Sequence, residues 1–138
     1  MTDKQARLDV LADQLRISFD SAFEHDVKSC TLILEVREQF FANNNTAWID
    51  WARENLHISV WECWRAAWSA QAIRECARLG IDIKSACRGD FERLEVIALI
   101  PPPHIGDFLH ECDAAGLNED DLPDQVRSFL ERRLARSS

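Results

Sequence analysis

The chain has 138 residues, with 24 Asp and Glu against 16 Lys and Arg, for a formal net charge of -8. Apolar residues make up 46% and charged residues 29%, a globular composition that excludes a disordered or fibrous chain and allows one core of moderate size. No apolar run approaches the roughly 20 residues that span a bilayer, MTDKQARLDV reads as too polar for a secretory leader, and the acidity argues against a simple basic coat on nucleic acid.

In chain order, Thr2 and Gln5 form a capping-box pattern, and Leu8, Leu11 and Leu15 recur at helical spacing. A second apolar series, Phe19, Phe23, Val27, Cys30, Leu34 and Phe41, predicts a long helix through 27–42. Asn43, Asn44 and Asn45 mark a turn, because their side chains compete for backbone hydrogen bonds, and Asn45 or Thr46 is placed to cap the next helix. That helix is short and expected over 47–56. His57 and Ile58 then connect to a second capping box, Ser59 with Glu62, that opens a helix over 60–79 ended by Gly80. Residues 81–90 read as a connector with one helical turn and Asp90 as a cap. The stretch 91–100 is expected to be helical up to Pro101, Pro102 and Pro103. A further helix begins near Pro103 and ends by Gly116, and a last one begins near Pro123. No segment shows the period-two alternation of a strand.

The expected fold is therefore all-α: a compact bundle of six or seven helices around the hairpin 46–79. Residues 1–100 would form the core and residues 101–138 an acidic extension packed on it.

The charge is uneven. Residues 94–126 carry eight acids and no base, whereas 61–93 carry six bases against five acids. An acidic face of this kind keeps a protein dispersed, docks a basic partner or imitates a phosphate backbone. All five tryptophans fall within 48–68, and Trp61, Trp64 and Trp68 share one helix face at i, i+3, i+7. They suit an aromatic core or anchors for a partner. A second stripe of small residues, Cys63, Ala66, Ala70, Ile73 and Ala77, would permit close helix approach or a dimer contact.

The chemistry-bearing residues point away from an enzyme. Cys30, Cys63, Cys76, Cys87 and Cys112 contain no C-x-x-C pair, and their odd number suggests reduced thiols in a cytoplasm. Cys63 and Cys76 are expected to behave as small buried apolar groups. His25, His57, His104 and His110 show no metal-ligand spacing, so no metal, cofactor or small-molecule substrate is expected. No glycine-rich phosphate loop and no nucleophile elbow occurs, and no catalytic residue is assigned.

The stretch 49–66, IDWARENLHISVWECWRA, orders a short helix, a tight turn and a capped second helix as a helix-turn-helix does. WIDWARENLHIS, followed by RLEVIALIPPP at 93–103, resembles helix-turn-helix proteins of plasmids, phages and integrative elements, among them ParB-like partition proteins and related short proteins of unknown function. The sequence departs from that pattern at His57, where a glycine is usual, at Arg53, where a small residue is usual, and in the tryptophans of the second helix.

The resemblance implies a DNA-associated regulatory or accessory protein of a mobile element. Ser59, Arg65, Arg74, Arg78, Lys84, Arg88 and Arg93 would contact phosphates on duplex DNA, with dimerisation through an apolar helix face. The alternative is a small acidic inhibitor that occupies a basic site on a protein or nucleoprotein complex. It would use Trp61, Trp64 and Trp68 together with Asp120, Asp121 and Asp124.

Overall fold

The computed structural model describes residues 2–42, 44–115 and 122–137. The fold is all-α: seven helices and no strand among the described residues.

The first helix, α1, runs unbroken over Asp3–Phe40, 38 residues, and so joins the two apolar series that the sequence separates. The first glycine is Gly80 and the first proline Pro101, so no backbone breaker interrupts this stretch. Thr2 caps α1 by accepting the Gln5 N–H at 3.2 Å, but the Gln5 amide donates to Asp9 at 3.0 Å, so only half of the expected capping box forms. The two ends of α1 differ. Phe23, Cys30 and Leu34 in the later part are buried, whereas Leu8, Val10, Leu11 and Ile17 stand in solvent.

Helix α2 spans Asn45–Leu56 and is capped by Asn44, whose side chain accepts the Ala47 N–H at 3.0 Å. Asn45 and Thr46 are inside the helix instead. The Asn45 Oδ1 accepts from Arg37 Nε at 2.9 Å and ties α2 to the end of α1. His57 then takes the left-handed conformation, φ 56 and ψ 37, and turns the chain into Ser59. The Ser59–Glu62 capping box forms in full and starts α3, Val60–Arg78. Gly80, at φ 73, ends it: Ile81 N–H reaches Cys76 O at 2.8 Å and Gly80 N–H reaches Ala77 O at 3.2 Å, satisfying two of the last carbonyls.

A single turn, α4 (Ile83–Ala86), is capped by Asp82, and Asp90 caps α5 (Phe91–Ile97). Helix α5 stops three residues short of the expected Ile100. A residue before proline is pushed out of the helical region, and Leu99 and Ile100 close tighter i, i+3 bonds to Val96 and Ile97. Helix α6 covers Pro102–Ala115, and α7 covers Leu122–Ser137 with Pro123 in its first turn.

Helix α3 is the axis of the bundle and feeds two cores. One joins its Cys63, Ala67 and Ala70 to Cys30 and Leu34 of α1 and to Trp48 and Ala52 of α2. The other joins its Ala72 and Cys76 to Phe23, Cys87, Leu94 and Ile97 and to Ile105, Phe108, Val126 and Phe129 of the last two helices. Small side chains along α3 allow this close approach on more than one side.

Candidate functional site

The tryptophans divide into a packed set and an exposed one. Trp48 is fully buried, and its ring meets Trp64 edge-on with centroids 5.4 Å apart. Trp64 stacks on Trp68 at 6.3 Å. The Arg37 guanidinium lies 5.4 Å from the Trp48 ring and 5.3 Å from Trp64, a cation over two aromatic faces. Trp61 shares their helix face by spacing, yet it is 68% exposed in the first turn of α3. Leu56 and Val60 beside it are also exposed, so the α2–α3 turn presents an apolar tip. The Trp48 Nε1 and the Ser69 Oγ are both buried without a hydrogen-bond partner.

The cations expected to meet phosphates are placed beside carboxylates. Arg74 makes a two-pronged pair with Glu38 of α1 at 2.7 and 2.6 Å, and that guanidinium holds the Glu38 carboxyl below the usual carboxylate range. Arg78 grips Glu75 within α3 and lowers its carboxyl likewise. Arg65 lies 4.0 Å from Glu95 and Lys84 lies 3.5 Å from Glu24. Arg88 is exposed, in a left-handed turn at φ 53. The Ser59 hydroxyl is committed to its cap, where it accepts the Glu62 N–H at 3.1 Å. These groups come from several faces of the bundle, and each of these ion pairs lowers the net positive charge locally.

The acidic third of the sequence is treated in the same way by α7. Asp107 accepts from Arg133 at 2.9 Å, Glu111 from Arg132 at 3.2 Å, and Asp124 from Arg127 at 2.9 Å. The base-free run thus meets the basic C-terminal helix. Asp120 and Asp121 lie outside the described residues.

A different acidic feature emerges from residues far apart in sequence. Two adjoining clefts of about 380 and 740 Å³ share Asp26, Phe91 and Glu95 in their walls and run between α1, the start of α3 and α5. Glu62 and Arg65 line the first, and Arg88, Asp90 and Glu92 the second. Burial pushes the Glu95 carboxyl up, Arg65 opposes this, and the neighbouring Glu92 and Asp26 add to it. Sequence patterning carries no signal for this cleft, because its acids come from three helices and only folding brings them together.

The thiols are structural. All five cysteines are buried, and none forms a disulfide. Burial raises Cys30 and Cys76 to about 11 and Cys87 to about 12, and also raises Cys63. Thiols held protonated in this way are poor nucleophiles and poor metal ligands. Among the described residues, no group of three or more His, Cys, Asp or Glu side chains is placed to hold a metal ion, and no helix is long and apolar enough to cross a membrane.

No family model, curated protein or solved structure matches the chain.

Proposed function

We propose that this is a non-enzymatic binding protein whose acidic surface and exposed α2–α3 tip engage a basic site on a protein or nucleoprotein partner. The observation that carries this reading is the pairing of Arg65, Arg74, Arg78 and Lys84 with carboxylates at the positions where phosphate contacts would be needed. A phosphate backbone approaching these cations would also meet Glu95, Glu38, Glu75 and Glu24, and like charge opposes the approach. Trp61, flanked by Leu56 and Val60, has the size and exposure of an interface anchor. In the sequence, Asp120 and Asp121 supply acidic charge complementary to a basic partner beside Asp124, whose carboxylate is shared with Arg127 at 2.9 Å. A small acidic inhibitor acting in a reducing cytoplasm fits these features and the five thiols.

The test is capture of a discrete partner with and without nuclease. Recovery is expected to survive nuclease and to fall when Trp61→Ala, or Asp120→Lys with Asp121→Lys and Asp124→Lys, is introduced while far-UV dichroism is unchanged. Full recovery by both variants would remove the basis for this reading.

A second reading, a DNA-associated helix-turn-helix protein, draws on the α2–α3 turn itself. His57 adopts at φ 56 the left-handed backbone for which such turns use glycine, and the Ser59–Glu62 capping box starts the next helix. Arg65, at 4.0 Å from Glu95, is the loosest of these four paired cations and the nearest in sequence to that turn. This reading expects salt-sensitive duplex binding that weakens when Arg65 and Arg74 become Ala. No duplex binding at low salt would sink it.

A further inference from the structure

The N-terminal half of α1 shows an apolar face to solvent. Leu8 is 58% exposed and Leu11 46%, one turn apart on the same side of the helix; Ile17, 67% exposed, stands on the opposite side, and Phe23 is the first residue of the helix described as buried. Helices in proteins draw most of their stability from packing an apolar face on a neighbour, so apolar side chains left in solvent mark a surface that a partner can cover. Helical spacing sets Lys4, Leu8 and Leu11 on one face with Arg7 at its margin, while Asp9 and Asp13 fall on the other side. Asp26 lies on that same face, eighteen residues or about five turns beyond Leu8.

At the Asp26 end, the same helix forms one wall of the 740 Å³ cleft, where Asp26, Asp90, Glu92 and Glu95 outnumber Arg88 and Phe91 supplies an apolar floor. Each molecule thus carries, at one end of α1, an exposed apolar face edged by Lys4 and Arg7. At the other end it carries an acidic cleft with an apolar floor.

We propose that two copies associate through antiparallel pairing of their α1 helices, each placing Lys4, Arg7, Leu8 and Leu11 into the acidic cleft of the other. A two-fold axis across the middle of the span between Leu8 and Asp26 makes the exchange reciprocal, so both ends are satisfied in one closed dimer. Parallel pairing would instead set Lys4 and Arg7 of the two copies side by side and leave both clefts unmatched. The proposal is independent of the partner-binding reading, because it concerns α1 and the cleft rather than the α2–α3 tip.

Sedimentation equilibrium on the full chain tests it. The wild-type protein is expected to be a dimer, and Leu8→Glu with Leu11→Glu to be a monomer. Near-UV tryptophan dichroism should be unchanged in that variant, since all five tryptophans lie at 48–68. Lys4→Glu with Arg7→Glu should weaken dimerisation by about tenfold or more without harming the helix, because acids suit its first turns. Adding Asp26→Lys with Glu92→Lys to that variant should restore the dimer. A monomeric wild type, a dimer indifferent to the leucine substitutions, or failure of the charge swap to restore association would each overturn the proposal.

Discussion

At the scale of single residues, burial decides chemistry more than residue type does. The sequence reads the five cysteines as reduced thiols, with Cys63 and Cys76 as small buried apolar groups; in the fold all five are buried, and the Cys30 thiol donates to the Val27 carbonyl at 3.2 Å. Their protonation is linked to stability. In the unfolded chain these thiols lose their protons near 9.0, whereas in the fold Cys30 and Cys76 hold theirs to about 11 and Cys87 to about 12. The folded state therefore binds more protons across that window. The stability is fully present below pH 9 and is lost as pH rises toward the folded values, with a slope of at most about 1.4 kcal/mol per pH unit per thiol. Urea midpoints that fall between pH 8 and pH 10.5, with no native-state reaction with a thiol reagent at pH 8, are the expected outcome. Rapid labelling of the native protein would contradict the burial.

At the scale of helices, the sequence is a good guide wherever the determinant is itself local. Ser59 with Glu62, Gly80 and Asp90 mark boundaries seen in the structure, because a cap acts within one turn, and the proline run opens α6 at Pro102 although α5 ends earlier, at Ile97. The differences arise from competition. Asn44 rather than Asn45 or Thr46 caps α2, and Asn45 instead accepts a bond from Arg37 across the turn. The two apolar series of α1 form one helix because a change of apolar face does not break a helix when no glycine or proline lies there. The α2–α3 turn carries a prediction at this scale. An L-residue at φ 56 is strained by about 1–2 kcal/mol, which glycine avoids at some entropic cost. His57→Gly is therefore expected to raise stability by up to about 1 kcal/mol in urea unfolding. A loss instead would mean that the imidazole contributes contacts greater than the strain.

At the scale of the molecule, one stable body is built on α3, and the N-terminal part of α1 extends from it. The second core unites α3 and α5 with α6 and α7, so the C-terminal third is part of the same packed unit rather than a loose appendage. Leu8, Val10, Leu11 and Ile17 of α1 stand in solvent instead. A chain lacking residues 1–21 is expected to keep the near-UV tryptophan signal and a single cooperative unfolding transition, since among the described residues both cores are built from Phe23 onward. It should also lose self-association. Collapse of the tryptophan signal in this truncated chain would show that the N-terminal helix supports the fold.

Helical class, most boundaries and the apolar character of the α3 faces are settled by residues close together in sequence, through spacing, caps and breakers that act over a turn or less. Which charges remain available is a tertiary matter. The arginines of α3 are neighbours of Glu38 and Glu95 only after α1 and α5 pack, and the acids of α6 meet Arg132 and Arg133 only once α7 folds back. The exposure of Trp61 while Trp48 is buried, and the cleft formed by Asp26, Glu62 and Glu95, have the same origin. Solvent access and the partner of each charge depend on distances in space between residues far apart along the chain, and periodicity within one helix does not encode them.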